Sequence, residues 1–532
     1  MSIKKALLSV SDKTGIVALA QQLKLYDIEI ISTGGTQKVL QEAGIETTDI
    51  SQVTKNPEAF GGRMKTISFQ IESALLFDRA KDALEATQLH IEPIDLVVCN
   101  LYPFEKVLKE GADFDTLIEN IDIGGPTMVR AAAKNFKYVT VLTNPGDYEV
   151  FTQELAQHKG NTSLEFRQHL MAKAFNHTAD YDALIAQTMD KALGKHSLRL
   201  SFVEGKPLRY GENSHQSALF YKQKGVANTF HDMEILHGKA LSYNNILDIS
   251  GAVNAVRELS NQACAVVKHS NPCGLAQSDN QRQALELAWQ GDPVSAFGSI
   301  IAFNQKLTLE TVQFFNLDHE KVSQRKFIEV VIAPDYDEDA LAYLQHHKAL
   351  RVLKYDASKT PMQQDLRYIH GSLLSQDYDT QLFDKMNCVT ESELDLDLDK
   401  HKSLVEFGLK AIKNIKSNAI VVVGQKANDV YLMGMGAGQP NRLIASELAL
   451  QKATDFIKAE HGATVNVAEK LGEALLISDA FFPFPDNVEL AHERGIKTIV
   501  QPGGSIRDKA VIDKANELGV NMIFTGLRHF KH

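Results

Sequence analysis

Short apolar segments typical of β-strands alternate with amphipathic helical segments through most of this sequence. Early in the chain the pattern predicts strands at Ala6–Val10, Glu29–Ser32, Leu96–Cys99 and Val139–Thr143, and helices at Ile16–Leu25 and Thr127–Asn135. Later strands are predicted at Ala263–Lys268, Ile420–Val423, Ala474–Ser478, Lys497–Val500 and Asn521–Phe524. This alternation predicts an α/β protein with largely parallel sheets. In such sheets, ligands bind where the carboxyl ends of the strands enter loops and helices.

The chain has 532 residues, more than a single hydrophobic core usually supports. After Tyr181 the alternation weakens into a polar stretch that ends near Ser197. We therefore predict a boundary at residue 195, with one domain over 1–195 and a second α/β region over 196–532. No internal repeat is visible in the sequence.

Composition excludes several classes of protein. A net charge of −11 argues against broad contact with nucleic acid. No apolar run approaches the roughly 20 residues of a membrane-spanning helix, and the N-terminus lacks a signal-peptide pattern. The cysteines are scattered without a C-x-x-C pair, which disfavours a disulfide framework or a structural zinc site. We expect a cytoplasmic protein that acts on small molecules, not on nucleic acid or a membrane.

Polar loops at the predicted carboxyl edge of the first sheet are suited to a phosphorylated ligand. These loops are Ser11–Thr14, Thr33–Thr36, 61–66 and Ile121–Thr127. Glycine pairs at helix starts present backbone N–H groups to a phosphate, and Arg63 and Lys65 share one face of an extended segment. Taken singly, a glycine pair is more often a structural turn, and two cations are often a solvated edge. Together, the loops predict an anion-binding site.

Motifs along the whole chain resemble a known family, the bifunctional purine biosynthesis proteins. In the first part the similar motifs are SDKTG, STGGT, GGRMKT, NLYPF and IDIGGPTMVRAAAKN. In the second part they are KPLRYGENSHQ, KHSNPCG, DPVSAFGS, IKSNA, GMGAGQPNR, SDAFFPFPDN, QPGGSIRD and LRHFKH. The resemblance implies an N-terminal inosine monophosphate (IMP) cyclohydrolase domain with a methylglyoxal-synthase-like parallel sheet. It implies a C-terminal transformylase region of two cytidine-deaminase-like subdomains.

The resemblance also implies two reactions. The formyl group of 10-formyltetrahydrofolate, a co-substrate, is transferred to aminoimidazole-carboxamide ribonucleotide (AICAR). The formylated product (FAICAR) is then closed to IMP with loss of water, and neither step requires a metal. A homodimer is implied as well, with the transformylase site formed across the subunits.

For formyl transfer, the residue types at Lys268 and His269 fit the chemistry. An aromatic amine is a poor nucleophile, so a general base is needed, and a lysine stabilises the tetrahedral oxyanion. A Lys-His pair at a strand end is usually only a polar loop, and the catalytic role is implied by the resemblance. The same resemblance assigns AICAR binding to Arg209, Tyr210, Gly298, Glu329, Asn418, Gln439, Arg442, Arg528 and Phe530. It assigns folate binding to Leu443, Phe481, Asp486, Ser505 and Ile506. Some of the phenylalanines of the FFPF segment are expected to be core.

For ring closure, the resemblance makes Lys134 the residue that handles protons, although a lysine on a polar helix face is normally just solvated. It assigns nucleotide binding to Ser11, Asp12, Lys13, Thr33, Gly34, Gly35, Thr36, Arg63, Lys65, Thr66, Cys99, Asn100, Asp122 and Ile123. One departure lies at Ile67–Ala74, where the family usually has L-H-P-K-x-H-G-G. Because two histidines, a proline and two glycines are replaced, we expect the local backbone to differ.

The same sequence also bears on other functions. A zinc deaminase needs P-C-x-x-C, and Pro272–Ala276 lacks the second cysteine. The spacing of Gly434, Gly436 and Gly438 is not the G-x-G-x-x-G of a dinucleotide site. An alternative stays open in which only the transformylase is active and the N-terminal domain is a nucleotide-binding regulatory module.

Overall fold

The computed structural model describes residues 2–57, 59–60, 63–360, 364–391 and 398–532. The chain forms two compact units, Met1–Ser201 and Phe202–His532.

The first unit is built on a parallel sheet. Its strands are β1 Lys5–Val10, β2 Glu29–Ser32, β3 Thr48–Asp49, β4 Leu96–Asn100 and β5 Thr140–Leu142. They are arranged in the order β3-β2-β1-β4-β5, and every neighbouring pair is parallel. The strands predicted early in the sequence are confirmed, with ends that differ by at most one residue. The central strand β1 is almost wholly buried, as expected for a sheet covered on both faces.

Helices connect and cover these strands. They are α1 Ile16–Leu25, α2 Gly34–Glu42, α3 Ile50–Thr54, α4 Phe69–Leu76, α5 Ala83–Gln88, α6 Phe104–Lys109, α7 Phe114–Glu119, α8 Gly124–Lys134, α9 Tyr148–Gln157 and α10 Leu164–Ala192. Helix α8 begins three residues before the predicted start at Thr127, because the Asp122 carboxylate accepts a hydrogen bond from Gly125 N (2.8 Å) and supports an earlier first turn. Helix α4 lies in the segment that departs from the family pattern. Ser68 caps it by accepting from Ile71 N (3.1 Å).

The second unit contains a large mixed sheet. The strands of the unit are β6 Phe202–Leu208, β7 Ala218–Gln223, β8 Glu234–His237, β9 Gln262–Lys268, β10 Asn271–Ser278, β11 Ser299–Phe303, β12 Ile328–Ala333, β13 Arg351–Lys354, β14 Asp365–Ile369, β15 Ser372–Gln376, β16 Asn387–Cys388, β17 Ile420–Lys426, β18 Asp429–Gly436, β19 Leu475–Ser478, β20 Thr498–Gln501 and β21 Asn521–Phe524. Two pairs, β6–β7 and β14–β15, form separate two-stranded sheets. Its helices are α11 Tyr243–Val256, α12 Gln281–Gln290, α13 Leu309–Val312, α14 Glu338–Gln345, α15 Leu398–Ile412, α16 Arg442–His461, α17 Val467–Leu471, α18 Asp486–Arg494 and α19 Asp508–Leu518.

The large sheet consists of two halves with the same strand pairings. The order is β16-β21-β20-β19-β17-β18-β10-β9-β11-β12-β13-β8. In each half a hairpin (β9–β10 or β17–β18) is followed by an antiparallel neighbour, two parallel strands and a final antiparallel strand. The halves join through the antiparallel pair β10–β18. These halves are the two subdomains of the region, and their repetition is invisible in the sequence.

Candidate active sites

A cavity of about 650 Å³ opens in the first unit at the carboxyl edge of the parallel sheet. The predicted nucleotide-binding residues that line it are Ser11, Lys13, Thr33, Gly35, Thr36, Arg63, Lys65, Thr66, Asn100, Asp122 and Ile123. The loops that follow β1, β2 and β4 therefore meet at one place, as the parallel topology requires.

The glycine turn after β2 leads into α2 and has the features of a phosphate site. Thr33 precedes the helix, but its side chain does not cap it and is hydrogen-bonded to Ser9 Oγ instead (3.0 Å). A Cβ on Gly34 would lie 2.6 Å from Lys65 Nζ, and one on Gly35 would lie 3.8 Å from Lys13 Nζ. Two lysines thus flank a helix N-terminus, where backbone N–H groups and the helix dipole favour an anion.

Asn100, at the end of β4, holds the loop that follows β1. Its Oδ1 accepts from the backbone N–H groups of Ser11 (2.6 Å) and Asp12 (2.8 Å), and its Nδ2 donates to Asp12 O (2.8 Å). The Asp12 side chain accepts from the hydroxyl and the N–H of Thr14, which lowers the pKa of that carboxyl. Asp12 is outside the cavity lining, so its contribution to the site is to shape this loop.

Asp122 supplies a carboxyl to the cavity. Burial raises the pKa of this carboxyl, against the opposing effect of hydrogen bonds donated by the backbone N–H groups of Gly125 and Tyr102. A carboxyl with a raised pKa takes up a proton more readily than an ordinary carboxylate, which suits it to proton transfer. Sequence reasoning missed Tyr102, which also lines the cavity, although its position just after β4 was the available signal.

Some of the predicted cyclohydrolase residues do not reach the cavity. Cys99 is buried in the core, where desolvation raises the pKa of its thiol. Lys134 is the last residue of α8, about 15 Å along the helix from Gly124 at the cavity, and it is exposed to solvent. Arg63 lines the cavity but is ion-paired with Glu119, which also lines it. The glycines at 61 and 62 of the GGRMKT motif lie outside the described residues.

In the second unit, Lys268 and His269 lie at the turn of the β9–β10 hairpin. Lys268 pairs with Asn271 across the strands, and His269 and Ser270 connect them. Lys268 Nζ donates to Phe297 O (2.6 Å), which brings the lysine to the loop containing Gly298. Gly298 has a φ of +74°, a conformation that favours glycine.

The β9–β10 turn lies near the start of β17. Because β18 runs antiparallel to both β10 and β17, the start of β10, the end of β18 and the start of β17 lie at the same edge of the sheet. Asn271 Oδ1 accepts from Lys416 N (3.2 Å), just before Asn418. Asn418 Nδ2 donates to Gln439 O (2.8 Å), and Arg442 Nη2 donates to Asn418 Oδ1 (2.5 Å). The structure therefore brings Asn418, Gln439 and Arg442 together beside the Lys-His turn.

Arg442 is buried and paired with Asp479, a fully buried carboxylate. Asp479 also accepts from Ser417 Oγ (2.5 Å) and Ala419 N (3.1 Å). Much of the Arg442 guanidinium is thus committed to protein contacts. Its hydrogen bond to Asn418 Oδ1 holds that side chain in place.

The C-terminal residues are anchored at the same place. His529 is buried, and its ring nitrogens are bonded to Asp379 Oδ2 (2.7 Å) and Leu382 O (2.8 Å). Ser417 N donates to Lys531 O (2.9 Å), and Lys531 N donates to Ser417 Oγ (3.1 Å). Arg528 and Phe530, between these anchors, are stacked on each other with the guanidinium carbon 4.8 Å from the ring centroid.

Helix α11 connects the remaining predicted AICAR residues. Asn245 Nδ2 donates to Glu329 Oε2 (3.0 Å), and Asn244 Nδ2 donates to Glu212 O (3.3 Å), two residues after Tyr210. Arg209 stacks on the Tyr210 ring at 5.4 Å. Tyr210 and Glu329 are thus tied to the same end of this helix.

The predicted folate residues lie on an open surface. Phe481 is exposed while Phe482 is buried, which confirms that one phenylalanine of the FFPF segment is core. Asp486 begins α18, and its Oδ1 accepts from Asn487 N (2.8 Å). Ile506 is fully exposed, and Leu443 and Ser505 are half-buried.

Two further findings concern the described residues alone. Within them, no group of three or more His, Cys, Asp or Glu side chains is placed to hold a metal ion. None of the helices in the described ranges is both long and apolar enough to cross a membrane.

The fold is that of an α/β protein of two compact units, with an anion-binding turn in the first unit and a Lys-His hairpin turn in the second. Residues 15–127 match the MGS-like domain, and residues 132–452 match the AICARFT/IMPCHase bienzyme family. The chain is 44% identical over 542 residues to the bifunctional purine biosynthesis protein PurH of Persephonella marina, covering 99% of this chain and all of that one. It is also 44% identical over 545 residues to PurH of Lactobacillus acidophilus, with full coverage of both chains. A solved structure, described as the crystal structure of ForH, is 34% identical to this chain and covers 36% of it and all of that chain, with a TM-score of 0.33.

This chain belongs to the AICARFT/IMPCHase bienzyme family. It is therefore a bifunctional enzyme of purine biosynthesis, with AICAR formyltransferase and IMP cyclohydrolase activities, and a purely regulatory N-terminal domain is not favoured. Membership of a formyltransferase family implies a folate co-substrate.

Proposed function

We propose that ring closure takes place in the cavity of the domain 1–195 and formyl transfer at the Lys268–His269 turn of the domain 196–532. The formyl donor is 10-formyltetrahydrofolate, and the enzyme works in the cytoplasm. The observation that carries the first assignment is the glycine turn flanked by Lys13 and Lys65, with Asp122 in the same cavity. The division of the chain into two compact units supports the separation of the two activities.

For ring closure, the nucleotide phosphate binds the first turn of α2, with Lys13 and Lys65 neutralising its charge. The carboxamide nitrogen attacks the formyl carbon, and one proton moves from that nitrogen to the formyl oxygen. The resulting hydroxyl then gains a second proton and leaves as water, while the nitrogen loses its remaining proton as the ring C=N bond forms. Asp122 is suited to exchange a proton in these steps, because burial raises the pKa of its carboxyl.

Lys134 stays a proposed proton-handling residue, on the family resemblance alone. Its position at the far end of α8 favours Asp122, which lines the cavity, instead. Replacing Lys134 by Ala distinguishes the two assignments: loss of ring closure with formyl transfer intact supports a role for Lys134, and normal ring closure leaves the chemistry to the cavity residues.

For formyl transfer, His269 takes a proton from the AICAR amine as it attacks the formyl carbon, and Lys268 stabilises the oxyanion of the tetrahedral intermediate. In this step Lys268 Nζ would exchange its hydrogen bond to Phe297 O for one to that oxyanion. The intermediate then collapses as the bond between the formyl carbon and N10 breaks, and tetrahydrofolate leaves once that nitrogen takes up a proton. Asn418, Gln439 and Arg442 position AICAR, together with Glu329, Gly298, Arg209 and Tyr210. Arg528 and Phe530 complete this site from the anchored C-terminus.

The folate would lie across Leu443, Phe481, Asp486, Ser505 and Ile506. Phe481 and Ile506 present apolar surface there for the pterin ring, and Asp486 is suited to accept hydrogen bonds from its amino edge.

We also propose a homodimer. Strands β14 and β15 pair with each other in a sheet of their own, and Tyr368 and Leu374 in this hairpin are 78% and 58% exposed. An isolated two-stranded hairpin is at best marginally stable in water, so an apolar hairpin of this kind favours coverage by a second copy. Light scattering on the full chain, compared with Leu374→Glu, tests this, and a monomeric wild-type protein would contradict it.

The function is tested by mixing AICAR with 10-formyltetrahydrofolate and identifying the nucleotide products. The proposal expects IMP from the wild-type enzyme, slower conversion of FAICAR to IMP at low FAICAR concentration in a variant without Lys65, and mostly unchanged AICAR from one without His269. Closure of supplied FAICAR must exceed an enzyme-free control. A rate equal to that control would show that the N-terminal cavity is not a cyclohydrolase site.

A further inference from the structure

The turn that carries His269 has an unfavourable backbone conformation. His269 has a φ of +52° and Ser270 a φ of +61°, so two consecutive non-glycine residues are left-handed. Hairpins connected by two such residues favour Asn and Gly at these positions, because other side chains are strained there. A His-Ser turn persists only where surrounding groups hold it.

Helix α11 provides the group that holds this turn. Asp248 Oδ1 accepts from Ser270 N (2.7 Å) and Ser270 Oγ (3.3 Å), while Asp248 Oδ2 accepts from His269 N (3.2 Å). Both carboxylate oxygens are therefore bonded to the two left-handed residues. Charge-assisted hydrogen bonds of this kind are stronger than neutral ones.

A glycine allows the helix to come this close. A Cβ on Gly251, one turn after Asp248, would lie 3.1–3.3 Å from backbone atoms of Ser270. That is tighter than ordinary van der Waals contact, so a larger residue would push the helix away from the turn. Asp248 and Gly251 therefore both contribute to the contact between helix α11 and the His269–Ser270 turn.

The second half of the sheet offers an internal comparison. The corresponding turn joins β17 to β18 through Ala427 and Asn428, and only Ala427 has a positive φ, of +53°. Asn428 Nδ2 there donates to Asp279 Oδ2 (2.9 Å), a carboxylate that follows β10 and belongs to the other half. The hairpin architecture therefore forms without two left-handed residues, and the carboxylate contact from the preceding helix accompanies the turn that carries Lys268 and His269.

We propose that Asp248 is a positioning residue for formyl transfer. By accepting hydrogen bonds from His269 N and Ser270 N, it holds the left-handed turn that aims the His269 imidazole at the reacting amine. This inference rests on the proposed role of His269 as the base. Asp248 acts through the backbone and makes no bond to substrate.

The test uses the full-length enzyme and a rescue variant. Asp248→Ala should lower kcat for formyl transfer by about 10²-fold, because small misplacements of a reacting group cost that much, with the KM for AICAR changed less than about threefold. Ser270→Gly alone should be nearly neutral. In the double variant Asp248→Ala/Ser270→Gly, glycine at 270 adopts the left-handed conformation without the Asp248 carboxylate. The kcat for formyl transfer should therefore return to within about fivefold of wild type.

Asp279→Ala is the matched control, because it removes the carboxylate from the equivalent turn and should leave formyl transfer unchanged. Normal kcat in Asp248→Ala would overturn the proposal, and so would a loss that Ser270→Gly fails to rescue. If Asp248→Ala does not fold, as judged by its melting transition and ring-closure rate, Asp248→Asn replaces it. Asp248→Asn keeps one acceptor oxygen and should fall between wild type and His269→Ala, with the same rescue by Ser270→Gly.

His269→Ala separates failure of this inference from failure of the proposed function. If His269→Ala keeps normal formyl transfer, the assigned catalytic role is wrong. If His269→Ala is inactive while Asp248→Ala is normal, only the positioning role is wrong. If His269 is the base and Asp248 positions it, adding Asp248→Ala to His269→Ala should cause no further loss of formyl transfer, because there is no imidazole left to position.

Discussion

Replacing Lys65 by Met should impair ring closure and leave formyl transfer intact. The ammonium group lies over the glycine turn, where a Cβ on Gly34 would be 2.6 Å from Nζ. Methionine keeps much of the aliphatic length but removes the charge. The substitution therefore tests the electrostatic contribution of this lysine to phosphate binding with little change in packing.

The expected size of the effect follows from the contact. A hydrogen bond to a charged group contributes about 1.5–3 kcal/mol. At about 1.36 kcal/mol for each factor of ten, kcat/KM for ring closure should fall about 10- to 150-fold. Most of the loss should appear in KM, because the phosphate is bound equally in the ground state and the transition state.

The assay follows the initial rate at which supplied FAICAR is converted to IMP, with subtraction of the enzyme-free rate. Lys38→Met is the matched control. Lys38 lies on the same helix α2, but its side chain is 78% exposed and is 4.0 Å from Glu42, so the same loss of charge should change kcat/KM less than twofold. Equal rates in the two variants would refute the phosphate-site reasoning.

Other perturbations address the second unit. Lys268→Ala and His269→Ala should each lower formyl transfer by about 10²- to 10³-fold, measured by folate absorbance, and near-normal turnover in both would remove them from catalysis. Deleting Leu527–His532 should raise the KM for AICAR strongly, since the described tail is hydrogen-bonded into the site, and unchanged kinetics would contradict that role. Arg442→Ala should lower the free energy of unfolding by about 3–5 kcal/mol in urea titrations, because it leaves the carboxylate of Asp479 buried without its cation; a loss below about 1 kcal/mol would argue against this.

Much of the first unit could be predicted from local patterns. The strand at Glu29–Ser32 and the helix at Ile16–Leu25 were predicted with their observed ends. Apolar and β-branched runs bounded by polar and glycine residues are local signals, and the parallel topology then brings loops after successive strands to one edge. The glycine turn at Thr33–Thr36 was recognisable for the same reason.

The position of Lys134 relative to the cavity could not be predicted from local sequence patterns. The residue shares an outward helix face with Thr127, and its proposed role rests on the family motif. Whether it reaches the cavity depends on the direction in which α8 leaves the sheet. That direction takes Lys134 about 15 Å from the start of the helix.

The structural repeat within the second unit could not be predicted from the sequence either. Its two halves have the same pairings, yet no residue pattern repeats visibly, because a buried strand requires only apolar side chains and not particular ones. Many different sequences satisfy that requirement, so identity is lost while topology is kept.

The residue sequence was enough to predict an α/β chain, the phosphate-binding loops and the family whose chemistry this enzyme performs, since each depends on short motifs. Only the tertiary structure decided which groups support those motifs. Asp248 is separated from Ser270 by 22 positions, and Arg442 from Asp479 by 37. Packing of helices on the sheet brings these partners together, and contacts between distant residues leave no local pattern from which they can be read.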